Sequence, residues 1–320
     1  MMKLNTKIIK KNYKNILSIA EELRKGEIVA IPTETVYGLA GRYDRDETIK
    51  KIFKIKKRPF NNPLIIHYCN YLQALDDIYY DSRIELLAKN FWPGPLTIIA
   101  KKKNSSISRL VSSDLNTLAI RVPSNKTTLS ILKKLFIPVA APSANRYGKI
   151  SPTSAQDVYD ELRGKIKKII DSGPCKIGLE STVVDLTSKK AKILRQGGIP
   201  EEKIKKIIEV KNIFVTTKVL SPGLSKSHYK PDKPIRINAI KPRKGEAWLA
   251  FGKIPKNYKG ISMSLSKKKC LKESAKNLYK MLRKLDKTEI ASIAVQKIPF
   301  KGLGLAINDR LKKAAYQYND

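Results

Sequence analysis

The sequence predicts an α/β fold, with a large domain on a twisted, mixed parallel and antiparallel sheet with flanking helices, followed by a smaller α/β unit. Three observations carry this expectation. Up to about residue 209, strand-like runs and helix-like stripes alternate. Residues 181–186 and 191–195 are two apolar strands joined only by Thr187-Ser-Lys-Lys190, a connection short enough for an antiparallel pair. After a gap at residues 211–240 that holds Pro222-Gly223, Pro231 and Pro234, the alternation resumes.

Taken in order, residues 15–25 set Ile16, Ile19, Ala20 and Leu23 on one helical face. The apolar run Ile28 to Ile31 reads as a buried strand and stops at Pro32, where Thr33, Glu34, Thr35, Tyr37, Gly38 and Gly41 follow. Such a strand delivers polar groups to the rim of a sheet, where open α/β sheets place ligands; a plain turn would also use the proline and glycines. Residues 46–57 form a helix with Ile49, Ile52 and Phe53 on one face. Strands are expected at 63–68, 95–100, 117–122, 138–141 and 169–171, and helices at 82–91, 126–136 and 154–163. A helix beginning Pro-Glu-Glu is expected over 200–210. The second unit reads as strands at 247–251, 261–265 and 290–295, with helices at 269–285 and 303–315.

The chain of 320 residues is long for one domain and suits two, and its 42% hydrophobic content supports real cores. The formal charge of +37 arises from 65 Lys+Arg against 28 Asp+Glu. It fits attraction to polyanions, and equally a general bias toward Lys, Ile, Asn and Tyr with lysines on solvated faces. Cys69, Cys175 and Cys270 are scattered without a C-x-x-C pair, which argues against a disulfide framework or a zinc site. Only His67 and His228 are present, too few for a His-rich metal cage. The lysine-rich N-terminus lacks the apolar stretch of a signal peptide, and no run is long enough to span a membrane. A soluble, cytoplasmic protein is expected.

Several polar residues sit where apolar ones belong. Lys56 lies seven residues after Ile49 and so continues the apolar stripe of its helix, two residues before Arg58. An inward amine beside a forked guanidinium suits phosphate or carboxylate; relief of the helix dipole in solvent is the competing reading. In the 117–122 strand, Thr117, Ala119 and Arg121 share one face. An arginine in an otherwise apolar strand is costly unless it is paired or faces a polar cleft. Ser181, Val183 and Asp185 share a face likewise, and Arg195 ends its strand before Gly197-Gly198. Pro142-Ser-Ala-Asn145 follows another strand with groups that can bind a ligand or cap a turn, and Ser151-Pro-Thr-Ser154 supplies a helix N-cap. His67, at a strand end, suits packing as readily as chemistry. Several such cases in one domain favour a single anion-binding cleft. There is no P-loop, no strand-linked G-x-G-x-x-G and no nucleophile triad; Gly302-Leu-Gly304 opens a helix without the third glycine.

The following motifs occur in order: Pro32-Thr-Glu-Thr-Val-Tyr-Gly38, Lys56-Lys-Arg-Pro59, Asn62-Pro-Leu64, Phe91-Trp-Pro-Gly-Pro-Leu-Thr97, Ile120-Arg-Val-Pro123, Ala141-Pro-Ser-Ala-Asn145, Gly178-Leu-Glu-Ser-Thr-Val-Val-Asp185 and Leu194-Arg-Gln-Gly-Gly198. Over roughly residues 12–206 the chain therefore resembles the YrdC-like L-threonylcarbamoyladenylate synthases. His228-Tyr229-Lys-Pro231 and the C-terminal unit resemble their long, two-domain form. The resemblance implies a YrdC-like catalytic domain at 1–210, a linker at 211–240 that closes over the active site, and a small Rossmann-like α/β domain at 241–320.

The resemblance also implies a reaction. L-threonine, bicarbonate or CO2, and ATP give threonylcarbamoyl-AMP and pyrophosphate, with Mg2+ carried on the phosphates and no metal held by protein ligands. The product feeds N6-threonylcarbamoyladenosine in tRNAs that read ANN codons, through a downstream threonylcarbamoyl transferase complex, with weak tRNA contact and no membrane role. By position, Lys56, Arg58, Ser143 and Asn145 are the implied catalytic group. Thr35, His67, Arg121, the Ala141 backbone and Ser181 would take threonine, with Arg121 gripping its carboxylate bidentately. Arg58, Asn62, Thr117, Ser143, Asn145, Ser151 and Arg195 would surround ATP, with Tyr229 closing from the linker. Two alternatives remain at this point. One is a carbamoyl-phosphate-using transferase of hydrogenase maturation, whose acylphosphatase-like and zinc-finger segments have no counterpart here. The other is a basic RNA-binding module without adenylate-forming activity, for which the stacking-aromatic signature is missing.

Overall fold

The structure is a computed structural model that describes residues 4–103, 106–211 and 228–316. Its first part runs β1 (Lys7–Lys10), α1 (Tyr13–Arg24), β2 (Val29–Ile31), β3 (Gly38–Arg42), α2 (Asp46–Lys56), β4 (Ile65–His67), α3 (Tyr71–Leu75), α4 (Ser82–Phe91), β5 (Leu96–Lys101), α5 (Arg109–Ser112) and β6 (Thr117–Arg121). It continues with α6 (Lys126–Leu135), β7 (Val139–Ala140), α7 (Ala155–Leu162), β8 (Lys168–Asp171), β9 (Thr182–Asp185), β10 (Ala191–Arg195), α8 (Glu201–Lys205) and β11 (Val210–Lys211). The second part runs β12 (Ile235–Ala239), β13 (Glu246–Ala250), β14 (Ser262–Ser264), α9 (Leu271–Asp286), β15 (Ser292–Gln296) and α10 (Leu303–Ala315).

Local chemistry sets these boundaries. Asn12, Asp81 and Asn125 accept backbone N–H bonds at the starts of α1, α4 and α6, and Ser154 forms a reciprocal capping box with Asp157 at α7. α2 stops because Lys57 turns left-handed (φ 52°) just before Arg58-Pro59.

Three expectations are corrected. The helix over 200–210 shrinks to α8, since Ile204 is its only buried residue and Val210 pairs with Ala191 as β11. Residues 235–239, expected within the linker, form β12 and belong to the second sheet, so that unit begins before 241. Gly38–Arg42 is a strand. Its glycines hid it from propensity, yet Gly41 is needed there because a Cβ would lie 2.5 Å from the Thr48 side chain on α2. The expected Ser221 to Ser227 part of the linker lies outside the described residues.

Eleven strands form the first sheet in the order β1-β8-β2-β3-β7-β4-β6-β5-β9-β10-β11. Parallel pairs (β4 with β6, β5 with β9) alternate with antiparallel ones (β5 with β6, β9 with β10). One face is covered along most of its length: Leu39, Ile66, Ile98, Leu118, Ile120 and Val184 pack with α2, α4 and α7. The opposite face is covered by α1 and α6 only over β8, β2, β3 and β7. Beyond them, Ile65, Ile99, Ala119 and Val183 form a small apolar floor. Period-2 alternation then places His67, Thr97, Arg121 and Ser181 on that same open face.

The second sheet, β12-β15-β13-β14, is wholly parallel. Ala247, Leu249, Ile293 and Val295 pack with α9 and α10, and this core extends into the first domain through Val36, Ile150 and Leu179. The docking is close. Gly178 (φ +78°) lies so near α9 that a Cβ would stand 2.7 Å from the Lys276 backbone.

Candidate active site

A cavity lined by polar and basic side chains opens over the apolar floor. Of the residues singled out from sequence, Thr35, Arg58, His67, Arg121, Ala141, Ser143, Ser151, Ser181, Arg195 and Tyr229 line it. Lys56, Asn62, Thr117 and Asn145 do not.

The absent four have identifiable positions. Lys56 is buried as its helical stripe demands, but its Nζ donates to the carbonyls of Ser143 (2.5 Å) and Asn145 (2.7 Å). It therefore braces the 142–145 turn from behind, which corrects the reading of Lys56 as a direct anion clamp. Burial, then the neighbouring Arg58, lowers its pKa well below that of a free lysine. Asn145 is fully buried, with its amide nitrogen donating to the carbonyls of Arg146 (2.9 Å) and Lys149 (2.8 Å). Asn62 accepts from Arg58. Thr117 begins β6, four residues or about 13 Å along the strand from Arg121.

Three arginines converge. Arg58 donates from Nε to Asn62 O (3.0 Å) and from Nη2 to Pro63 O (2.9 Å), and stands 5.8 Å from the centre of the Tyr147 ring. Burial brings its pKa down to about 10, so it stays cationic at neutral pH. Arg121 donates from Nη2 to Glu34 Oε1 (2.5 Å) and Thr35 Oγ1 (3.0 Å) and from Nε to Gly94 O (3.2 Å). Among the described residues this leaves only Nη1 for a ligand, so the expected bidentate grip is not available while Glu34 holds the other edge. Arg195 reaches Ser181 through Nε (3.0 Å to O) and Nη2 (2.9 Å to O, 3.0 Å to Oγ). Its direction depends on a β-bulge. Ile193 pairs with Val184 but Arg195 with Val183, so the extra residue turns Arg195 onto the open face.

Hydroxyls fill the gaps between these cations. Ser181 Oγ lies 2.7 Å from Thr97 Oγ1, and Thr35 Oγ1 lies 2.8 Å from Thr33 Oγ1. The Ala141 N–H is taken by Ile65 O (3.0 Å), so its carbonyl is what it can offer a ligand. His67 Nδ1 sits 3.3 Å from Ile65 O, and burial followed by Arg121 holds its pKa down to about 3. It is therefore neutral at physiological pH.

Sequence reasoning did not single out five of the lining residues as site residues: Val36, Ile65, Pro142, Glu180 and His228, with Glu180 the most consequential. Glu180 accepts from Ser151 Oγ (2.6 Å), Tyr279 OH (2.9 Å) and Arg310 Nε (2.8 Å). Burial pushes its pKa up, but Arg310, Arg195 and Ser151 together hold it down to about 2. Glu34, which fixes Arg121, was visible only as one acid between two threonines. Tyr229 (φ +63°) stacks on Tyr279, and its N–H donates to His228 Nδ1 at 3.0 Å. Among the described residues no three His, Cys, Asp or Glu side chains gather as a metal site, and no helix is long and apolar enough to cross a membrane.

This is the architecture of an α/β enzyme with an arginine-lined cleft, and comparison with known proteins gives its class. Residues 21–197 match the Sua5/YciO/YrdC family, described as "Telomere recombination", and residues 199–316 match "Threonylcarbamoyl-AMP synthase, C-terminal domain". The threonylcarbamoyl-AMP synthase of Pyrococcus abyssi is 38% identical over 314 residues, 92% of each chain. That of Bacillus subtilis is 36% identical over 325 residues, 95% of this chain and 94% of its own. The crystal structure of P. abyssi Sua5 complexed with L-threonine superposes with a TM-score of 0.87 at 35% identity, covering 98% of this chain and 97% of that one. Escherichia coli YciO, at 22% identity and a TM-score of 0.53, shares the fold over 60% of this chain. The chain belongs to the threonylcarbamoyl-AMP synthase family.

Proposed function

We propose that this cavity joins L-threonine, bicarbonate or CO2, and ATP into threonylcarbamoyl-AMP and pyrophosphate. The observation that carries the reading is the convergence of Arg58, Arg121 and Arg195 with Thr35, Ser143, Ser151 and Ser181 above an apolar floor. Carboxylation of the threonine amine, by CO2 with loss of a proton or by bicarbonate with loss of water, makes a carbamate, whose oxygen attacks the α-phosphorus and expels pyrophosphate. No protein nucleophile is required. The protein's work is to hold the reactants together and to neutralise phosphate charge.

In this reading Arg121 Nη1 meets the threonine carboxylate, Thr35 and Ser181 meet its polar groups, and the Ala141 carbonyl accepts from its nitrogen. Neutral His67 stands beside Arg121 without adding a charge that would repel the amine. Arg58, Arg195, Ser143 and Ser151 face the nucleotide. Lys56, Asn62 and Asn145 act from behind by fixing Arg58 and the 142–145 turn. Thr117 marks the outer limit of the nucleotide's reach along β6. Tyr229 covers the cleft. Mg2+ comes on the phosphates: the cavity's carboxylate, Glu180, is committed to Ser151, Tyr279 and Arg310. The product passes, in the cytoplasm, to a downstream threonylcarbamoyl transferase complex, with weak tRNA contact through the basic surface.

The test is incubation with ATP, bicarbonate and single amino acids, following pyrophosphate and the acyl-adenylate. Threonine-dependent release of both is expected. Release without an amino acid, or with none of them, rejects the reading.

A further inference from the structure

The last helix of the chain reaches the cavity wall. Arg310 lies on the α10 stripe of Ala306, Ile307, Leu311 and Ala314 and is 1% exposed. A cation in a helix's apolar stripe is unfavourable unless its donors are met. Its donors are met by three different parts of the molecule. Nε donates to Glu180 Oε2 (2.8 Å), Nη2 to the Gln196 carbonyl (2.9 Å) and Nη1 to Asp309 Oδ2 (2.5 Å). The guanidinium also lies 5.0 Å from the centre of the Tyr229 ring, a cation–π distance.

Two of these contacts and the ring belong to separate segments of the cavity wall. Glu180 precedes β9 and is bonded to Ser151, which lines the cavity. Gln196 follows Arg195 directly, so fixing its carbonyl fixes the turn that aims Arg195. Tyr229 covers the cleft and is otherwise held by stacking on Tyr279 and by the Lys230 N–H to Gly148 O bond (2.8 Å). A planar, five-donor fork can address all three at once; an ammonium cannot.

We propose that Arg310 is a positioning residue of the active cavity: through it the C-terminal domain locks Glu180, the turn after Arg195 and the Tyr229 ring into one wall, and so sets how long the adenylate stays bound. What is retained rests on the synthase reading above; the locking itself rests on the contacts alone. Arg310 touches no reacting atom.

The test compares full-length wild type with Arg310→Lys and with the charge-neutral pair Glu180→Gln/Arg310→Gln, which leaves no buried carboxylate unpaired if the single glutamine variant fails to fold. Two readouts are taken. Amide exchange at Tyr229 and Lys230 should be about tenfold faster in Arg310→Lys, with the melting temperature little changed. Adenylate escape in a single-turnover chase should be about fivefold faster, with KM for ATP raised by a similar factor and kcat within about twofold. In the double variant, amide exchange at Tyr229 and Lys230 and adenylate escape should be faster by about the same factors. Wild-type exchange and escape in both variants overturns the inference, as does a lowered melting temperature with exchange and kinetics of the folded enzyme unchanged. If wild type itself makes no adenylate, the synthase reading falls, and the exchange comparison still decides whether Arg310 locks the wall.

Discussion

In the domain of the eleven-stranded sheet, buried charge is directed at a shared cavity: Arg58, Arg121 and Arg195 all border it. In the four-stranded domain Arg310 is the one buried cation among the described residues, and it points out of its own domain into the first. The contrast separates two uses of the same costly group. In the first domain, Arg58 and Arg121 are each tied to protein through Nε and Nη2, and among the described residues neither Nη1 has a protein acceptor. In the second, every nitrogen of Arg310 has a protein acceptor, which is how a brace differs from a binding group.

The comparison can be broken in several places. Its severest test is Arg121→Ala, which strands Glu34, 4% exposed, without its partner. A loss of about 3–5 kcal/mol of stability is expected from denaturant melts, together with weakened threonine binding; a near-native melt would mean that Glu34 finds another partner. Arg58→Ala should lower pyrophosphate release by roughly a hundred- to a thousandfold, and because Arg58 also holds the Asn62 and Pro63 carbonyls, some stability should go with it. Full turnover would remove Arg58 from the nucleotide.

Acid offers a test that spans both regions. His67 borders the floor and His228 lies on the C-terminal side, and burial holds each pKa down to about 3. For a histidine whose folded pKa is depressed, the unfolded chain takes up the proton first. Stability is therefore complete above about pH 6.5, and falls as pH drops from there toward 3. At pH 5 the loss should be about 2 kcal/mol per histidine. Glu180, also depressed, adds its own loss only as pH falls from about 4.5 toward 2. Melting temperatures that stay flat between pH 7 and 5 would contradict the burial of both imidazoles as neutral groups.

Gly178→Ala should weaken domain docking by about 1–3 kcal/mol, since its φ is positive and the new Cβ would meet the Lys276 backbone; differential scanning calorimetry would register it. At the small end, Asp232→Ala removes a largely exposed ion pair with Lys149 and should change stability by less than about 0.5 kcal/mol. A larger change there would show that this pair contributes more than an exposed ion pair does.

Much of the site was legible because polar residues interrupted apolar patterns. Arg121 in its strand and Lys56 in its helical stripe were both flagged by period, and both are buried. The period could show that Lys56 points inward, but not that two backbone carbonyls would meet it there. The bulge that turns Arg195 depends on the register between β9 and β10, which a single strand's sequence does not carry. β3 and β12 were missed because glycines in one and the surrounding prolines in the other masked the alternation. Arg310 offered the same signal as Lys56, a cation in the stripe with Ala306, Ile307 and Leu311, and its significance emerges only when the two domains are together.

The cavity's choice of basic residue has a chemical consequence. All three cations on its lining are arginines, in a chain whose 65 basic residues include only 14 of them. A mixed anhydride of a carbamic acid and AMP transfers its acyl group readily to amines. Guanidinium groups stay protonated and are poor nucleophiles, whereas a lysine in their place would become a victim of the intermediate. The nearby amine, Lys56, does not line the cavity but stands behind the 142–145 turn, its Nζ held by two carbonyls. The catalyst can thus generate an electrophile in its own interior without being labelled by it.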